Sequence, residues 1–227
     1  MPASSKFSPT IGFINLSAAQ ERTLQECFAQ FRCQGVSIAD DAVAKVQKKK
    51  FAGIVLPINQ DTEKILSATR KSPLNSRVMV FAVCSDPREV TPYSRYGINA
   101  TLLEPLDRRE VLRILKSANL LILNEFRRYF RIPLVLEVRV EVANDAYAGS
   151  SCEVSGGGMS MVVNSAKLQV NQECVVSFSL PQSSAVNLRS SVCWTKEHKK
   201  MVGTKFHVEE EGRVVVRKWI DDYLGIR

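Results

Sequence analysis

The first half of the chain alternates short apolar runs with stretches in which apolar residues recur at helical spacing. Apolar runs of this length predict strands, and they lie at Gly12–Leu16, Val36–Ala39, Phe51–Ile58, Val78–Cys84 and Ala100–Leu103. A helical stretch follows each run, although prolines interrupt the fourth one, and the first stretch opens with Ser17 and Gln20 at capping-box spacing. This alternation indicates parallel strands joined by crossover helices.

The hydrophobic period changes from about residue 124. Between Leu134 and Val142 apolar residues alternate with mostly polar ones, which is typical of an antiparallel strand with one buried face. Further alternating runs lie at Ser150–Val154, Met159–Val163, Val175–Leu180, Leu188–Thr195 and Val202–Val208. Closely spaced strands of this kind predict a small barrel. A helical stretch at Arg213–Leu224 then ends the chain, and its apolar face is expected to pack on the barrel.

These patterns together predict two domains. We expect residues 1–123 to form an α/β domain with a doubly wound parallel sheet. We expect residues 124–227 to form an all-β domain, an antiparallel barrel with a closing helix. Asp107 and Glu110 stand at capping-box spacing, and the helix that begins after Asp107 keeps its apolar spacing to about Glu125. The sequence therefore predicts that this helix leads from the first domain into the second.

Composition narrows the classes of function. The six cysteines form no C-x-x-C pair and only two histidines could join them, so we expect reduced thiols and no metal site. No run of about 18 apolar residues could span a bilayer, and residues 1–10 lack the order of a signal peptide, so we expect a cytoplasmic protein. The sequence shows no Ser-His-Asp or Cys-His set and no phosphate-binding glycine loop, and we therefore do not expect an enzyme.

The charge of the chain raises the question of an anionic partner. A formal net charge of +8 could attract nucleic acid or a membrane surface. The densest cluster, Lys48 to Lys50, falls where a helix is predicted to end, and a favourable interaction with the helix dipole accounts for it. No helix-turn-helix or zinc-finger pattern accompanies the charge. We therefore do not expect a nucleic acid polymer as a partner.

Two short polar elements flank the start of the predicted barrel. Three arginines fall within five residues, at Arg127, Arg128 and Arg131, and a run of three glycines follows at Gly156–Gly158. Taken singly, such elements are a solvated basic junction and a hairpin turn. Neither element alone predicts a ligand site. The arginines, on a mobile loop, could wrap around a ligand, and the glycines permit positive φ and close approach of the backbone.

The spacing of these elements resembles the signature of the PilZ domain, R-x-x-x-R followed by D/N-x-S-x-x-G. Arg127 and Arg131 match the first element, and Ser155 and Gly158 match the second. Glu153 stands where the family has Asp or Asn. The resemblance implies a bacterial signalling protein that binds the second messenger cyclic di-GMP.

The chemistry of the matched residues suits this ligand, which presents two phosphates and two guanines. An arginine fork binds a phosphate or the O6/N7 edge of guanine bidentately, and its flat face can stack on a base. A Gly-x-x-Phe at Gly203–Phe206 extends the resemblance towards the last strand. The expected ligand-binding residues are Arg127, Arg128, Arg131, Glu153, Ser155, Gly157 and Gly158, with no further cofactor.

The first half is similar in architecture to a response-regulator receiver domain. Receivers accept a phosphoryl group on an aspartate at the end of strand three, beside acidic Mg²⁺ ligands and a lysine after strand five. Here the third strand runs into Pro57, Asn15 follows the first strand, and Glu104 takes the place of the lysine. Because a hard cation needs oxygen ligands, usually carboxylates, we do not expect phosphorylation. A domain that keeps only the fold predicts a surface for an unidentified protein partner or for a homodimer.

Two functional hypotheses follow from the sequence. In the first, cyclic di-GMP binds the barrel and changes the arrangement of the domains, which requires unequal affinity for the two arrangements. In the second, the barrel binds no nucleotide and the protein is an adaptor that acts only through protein contacts. Glu153 bears on the choice, because its extra methylene shifts the carboxylate from the position of an aspartate.

Overall fold

The computed structural model describes residues 8–163, 168–196, 198 and 200–225. The chain divides into two compact units, and the division falls between Phe126 and Arg127. The first unit contains β1 (Thr10–Ile14), α1 (Ala18–Ala29), β2 (Gln34–Ile38), α2 (Ala42–Lys48), β3 (Gly53–Pro57), α3 (Thr62–Lys71), β4 (Met79–Cys84), a 3-10 segment (Pro87–Tyr96), β5 (Ala100–Leu103) and most of α4 (Arg108–Tyr129).

The strands of the first unit form one parallel sheet in the order β2-β1-β3-β4-β5. This is the flavodoxin-like order of doubly wound sheets, with helices on both faces. Strands β3 and β4 are buried along nearly their whole length, because each faces a hydrophobic core on both sides of the sheet. On one side, Phe28 of α1 meets Phe81 of β4 edge-on, with 5.8 Å between the ring centroids. The predicted receiver-like α/β fold is confirmed.

Two helix starts in this unit were predicted from capping patterns. At α1 the box is complete: Gln20 N–H donates to Ser17 Oγ at 3.3 Å, and Ser17 N–H donates to Gln20 Oε1 at 2.7 Å. At α4 the Asp107 carboxylate accepts from the N–H of Glu110 at 2.9 Å. The Glu110 side chain pairs with Arg113 instead of completing a second box. The capping-box prediction is therefore right for α1 and half right for α4.

The second unit holds β6 (Ile132–Pro133), β7 (Glu137–Val142), β8 (Asp145–Ser155), β9 (Gly158–Val163), β10 (Glu173–Ser179), β11 (Ala185–Lys196), β12 (Met201–Phe206) and α5 (Gly212–Leu224). All its strand pairs are antiparallel, in the order β6-β8-β7-β10-β11-β12-β9. A further pairing of β8 with β9 closes six of the strands into a ring. The predicted barrel with a closing helix is confirmed.

The interior of the barrel follows the alternation read from the sequence. Val138 and Val140 of β7 point inwards, and Phe178 stacks on Phe206 across the core with centroids 6.2 Å apart. The strand predicted from Leu134 begins only at Glu137. Before it, the Ser151 hydroxyl binds the chain by accepting from Leu136 N–H at 2.8 Å and donating to Leu134 C=O at 2.5 Å. The side chain thus adds to two backbone hydrogen bonds at this point, from Leu134 N–H to Cys152 C=O at 3.2 Å and from Ser151 N–H to Leu136 C=O at 2.9 Å.

Candidate functional site

The arginine motif lies where α4 ends and the barrel begins. Arg127 and Arg128 belong to the last turn of α4, and Arg131 is exposed just before β6. Our expectation of a mobile loop is therefore wrong for the first two arginines. The helix continues past the end predicted near Glu125, because Phe126 and Tyr129 keep the helical spacing of Ile122. Cations in a last turn interact favourably with the helix dipole.

Arg127 is buried, and its guanidinium is bound to a carboxylate of the same unit. Its Nε lies 2.5 Å from Oδ1 of Asp221 and its Nη2 lies 2.8 Å from Oδ2, so α5 supplies a bidentate partner. The Arg127 side chain is 11% exposed and that of Asp221 is 22% exposed. Arg127 does not line the cavity described below.

The glycine run forms the tight connection between β8 and β9. The Ser155 hydroxyl donates to Gly158 C=O at 3.0 Å and accepts from Gly157 N–H at 3.3 Å. None of the three glycines adopts a positive φ, so that part of the expectation is wrong. Their small size is required instead by neighbouring backbone: a Cβ on Gly158 would lie 2.1 Å from the carbonyl oxygen of Thr204. The close approach that Gly158 permits is therefore to the backbone of Thr204, within the same domain, and not to a ligand.

A cavity of about 220 Å³ opens beside this turn. The residues that line it come from the end of α4, the glycine turn and strands β9, β11 and β12, and they are Arg128, Tyr129, Arg131, Ser155, Gly157, Gly158, Met159, Cys193, Trp194, Gly203, Thr204 and Lys205. The set contains three cationic side chains, and no carboxylate occurs among the described residues that line the cavity. Such a site favours an anionic ligand.

A family model for the PilZ domain matches residues 125–224. This half of the chain is a PilZ domain. The family consists of regulatory signalling modules associated with cyclic di-GMP. Five of the seven residues predicted from the motif, Arg128, Arg131, Ser155, Gly157 and Gly158, line one cavity of the PilZ domain.

Glu153 is the other predicted residue that does not line the cavity. It lies in β8, opposite Pro133 on one side and Ser160 on the other, and is half-buried. The register between β8 and β9 shifts just before it, between Ser151 and Glu153. The structure thus separates Glu153 and Arg127 from the rest of the predicted set.

Trp194 is a cavity residue of the PilZ domain that sequence reasoning missed. The pairing of β11 with β12 shifts between Val192 and Trp194, and such a bulge re-aims the side chains that follow it. Trp194 stands opposite Gly203, where an added Cβ would come within 2.2 Å of the indole ring. The ammonium of Lys196 lies 5.5 Å from the ring centroid. An isolated glycine in a strand was the available signal, since it marks close approach by another group.

Lys205 was also missed. It is exposed on β12, two residues after Gly203, and it supplies the third cation of the cavity. The Gly-x-x-Phe element at Gly203–Phe206 therefore combines two roles: its glycine accommodates Trp194, and its phenylalanine fills the barrel core. Lys205 itself belongs to no recognisable motif, so the sequence could not have predicted its place in the cavity.

A second buried arginine reaches the glycine turn from α5. Arg213 donates from Nη2 to Gly156 C=O at 3.1 Å and from Nη1 to His207 C=O at 3.2 Å. Burial lowers the pKa of Arg213 below its ordinary value, and the nearby charges of Arg217 and Arg128 act in the same direction. The turn is thus held by a cation whose desolvation is only partly offset by hydrogen bonds.

The chain is also similar to several solved structures. These include the receiver domain of a sensor histidine kinase from Pseudomonas aeruginosa (17% identity, 50% of this chain and 98% of that chain, TM-score 0.43). The chemotaxis response regulator CheY4 of Vibrio cholerae matches at 16% identity over 49% of this chain and 98% of that chain, with a TM-score of 0.44. The inhibitor of motility from Bacillus subtilis matches at 16% identity over 44% of this chain and 52% of that chain, with a TM-score of 0.37. No curated protein matches the chain significantly.

Among the described residues, no group of three or more His, Cys, Asp or Glu side chains is arranged to hold a metal ion. Within the same residues, no helix is both long enough and apolar enough to cross a bilayer.

Proposed function

We propose that the protein is a cyclic di-GMP receptor, and that the ligand binds at the cationic cavity of the PilZ domain. The observation that carries the proposal is the convergence of Arg128, Arg131 and Lys205 on one cavity beside the indole of Trp194. Ser155 and Gly158, which match the D/N-x-S-x-x-G element, also line it. Cations recognise the phosphates, and an aromatic face can stack on a guanine.

The size of the cavity determines how such a ligand would lie. Pockets that enclose a drug-sized molecule measure roughly 300–1,000 Å³, whereas this cavity measures about 220 Å³. We therefore propose that the ligand lies across the surface, with one base in the cavity and its phosphates on the arginines. In this arrangement the arginines would lose little solvation, and charge attraction would be sensitive to salt.

Isothermal titration of cyclic di-GMP into the full chain tests the proposal. We expect saturable binding by the parent protein and its loss in the Arg128→Ala, Arg131→Ala double variant. Arg139→Ala is the matched control, because Arg139 is exposed on β7 of the same domain and pairs only with Glu141 among its described ion pairs. GTP serves as the control ligand. Absence of binding by the folded parent chain would contradict the proposal and favour the adaptor hypothesis.

Tryptophan fluorescence gives a second readout of the same site. The chain has two tryptophans, Trp194 at the cavity and Trp219, which stacks on Tyr223 in α5 at 5.5 Å. In a Trp219→Phe variant the emission comes from Trp194 alone, and we expect cyclic di-GMP to change it with the Kd found by calorimetry. Unchanged emission at saturating ligand would place the binding site elsewhere.

We further propose that the signal leaves through protein contacts, made with an unidentified partner or with a second copy of the chain, and that the protein is not an enzyme. The α/β unit retains a doubly wound fold, and α4 exposes Leu120 and Leu121 at 68% and 53%. Light scattering with and without cyclic di-GMP would show whether the ligand changes the oligomeric state.

A further inference from the structure

We propose that Arg127, the first arginine of the R-x-x-x-R element, is a positioning residue, and that Arg128 takes the ligand-contacting role together with Arg131. In this arrangement Asp221 and Arg213 of α5 support the cavity without touching the ligand. The inference rests on the proposed function, since it assigns roles within that site.

The geometry of α4 separates the two neighbouring arginines. Successive residues of an α-helix point about 100° apart, so Arg127 and Arg128 leave the helix in different directions. Arg127 turns towards α5 and is buried, whereas Arg128 lines the cavity. Residues four apart lie on the same face of a helix. Because α4 ends at Tyr129, Arg131 lies beyond the helix and does not share the face of Arg127.

The contacts of Arg127 are those of a structural link. The guanidinium nitrogens Nε and Nη2 of Arg127 each lie within 2.8 Å of a carboxylate oxygen of Asp221. Its carbonyl oxygen accepts from the N–H of Gly156 at 3.0 Å. Arg127 thereby joins the end of α4 to the closing helix through its side chain and to the glycine turn through its backbone.

The glycine turn is held from two sides at one residue. Gly156 donates its N–H to Arg127, and its carbonyl oxygen accepts from Arg213 of α5 at 3.1 Å. A Cβ on Gly156 would lie 3.3 Å from Arg127 Cβ, so the two residues are in contact as well as hydrogen-bonded. The next residue, Gly157, lies at the cavity, and a Cβ there would be 3.1 Å from Cγ of Arg128. A displacement of Arg127 would therefore move the wall of the cavity.

Substitution of Asp221 distinguishes the two roles of Arg127 by the direction of its effect. If Arg127 bound the ligand directly, Asp221→Ala would release it, and affinity for cyclic di-GMP would be unchanged or higher. If Arg127 positions the turn, Asp221→Ala and Arg127→Ala remove the same link. We then expect each to weaken the Kd by the same factor, at least about threefold, and the double variant to be no weaker than either single one.

Arg128 provides the matched comparison. We expect Arg128→Ala to weaken the Kd by at least about tenfold, as loss of a charged hydrogen bond does, while the melting temperature of the PilZ domain stays within about 2 °C. We also expect Arg128→Ala to reduce the dependence of Kd on ionic strength. The Arg127→Ala, Asp221→Ala double variant removes one charge of each sign, so we expect it to leave that dependence unchanged.

The outcomes separate this inference from the proposed function. If the parent chain does not bind cyclic di-GMP, the proposed function fails. If the parent binds and Asp221→Ala binds as tightly or more tightly, the proposed function stands and the positioning role is wrong. Where Arg127→Ala does not fold, Arg127→Lys replaces it: lysine keeps the charge but loses the fork, and we expect it to weaken binding as Asp221→Ala does.

Discussion

At the scale of single residues, the glycines of the β8–β9 turn differ in what lies behind each of them. Behind Gly158 is the carbonyl oxygen of Thr204, which belongs to the neighbouring strand and cannot move without breaking the ladder. Behind Gly157 is the side chain of Arg128, which has several rotatable bonds. The same substitution at adjacent positions should therefore affect different properties of the protein.

We predict that Gly158→Ala destabilises the PilZ domain by about 1–3 kcal/mol or more, as overpacking against a rigid neighbour does. We predict that Gly157→Ala leaves the stability within about 0.5 kcal/mol but weakens cyclic di-GMP binding, because Arg128 must shift. Urea denaturation followed by Trp194 fluorescence measures the first effect, and calorimetry measures the second. Equal destabilisation by the two substitutions would contradict the distinction.

The cysteines also differ sharply at this scale. Burial raises the pKa of Cys33 to about 12 and that of Cys174 to about 11. Because the thiolate is the reactive form, both are protonated and unreactive at mildly alkaline pH. Cys193 is exposed and lines the cavity.

We therefore predict that a disulfide reagent modifies Cys193 first in the native protein, and that saturating cyclic di-GMP slows this reaction. Stopped-flow absorbance measures the rate, and Cys193→Ser identifies the phase that belongs to Cys193. Cys152, which is half-buried and does not line the cavity, is the internal control whose rate the ligand should leave unchanged. Modification of Cys193 at the same rate with bound ligand would place the ligand elsewhere.

At the scale of elements, the start of α4 offers a test of local stability. The Asp107 carboxylate accepts a hydrogen bond from Glu110 N–H, whereas Asp61, at the corresponding position of α3, makes no side-chain capping bond. We predict that Asp107→Ala lowers the free energy of unfolding of the α/β unit by about 1 kcal/mol, and that Asp61→Ala, the matched control, changes it by less than half as much. Urea denaturation followed by far-UV circular dichroism compares the two.

Which elements the sequence could predict depends on the range of the interactions that determine them. Alternation and helical spacing are local, and they identified most strands and helices of both units. They missed β6, and they placed the start of β8 at Ser150, five residues after its observed start at Asp145. The bulge before Trp194 arises from the pairing of β11 with β12, and the sequence of one strand does not determine that pairing. The link from Arg127 to Asp221 joins residues 94 positions apart. The motif identified five of the twelve residues that line the cavity, but not the division of roles within it.

At the scale of the whole molecule, the α/β unit keeps a receiver-like fold with different side chains at the carboxyl ends of its strands. Asn15 follows β1, β3 ends at Pro57, and the carboxylate of Glu104 accepts hydrogen bonds from Gln20 and Ser85. In phosphate sites Mg²⁺ is usually held by one or two carboxylates, and receiver domains carry them at this edge.

We therefore predict that acetyl phosphate with Mg²⁺ does not phosphorylate the chain. Intact-mass spectrometry would detect one added phosphoryl group, and a known receiver domain treated in parallel would show that the reagent is active. Stoichiometric labelling on an aspartate would contradict the prediction. If no labelling occurs, the α/β unit does not receive a signal by phosphorylation of an aspartate.

The closed ring of the PilZ domain restricts how other proteins could recognise it. Each of its six strands has a neighbour on both sides, and the added strand β6 is two residues long and includes Pro133, which has no N–H to donate. Among the strands that the structure describes, this domain therefore offers no long free edge on which a peptide could extend the sheet. A partner must recognise it through side chains, and such an interface can change when an arginine side chain moves.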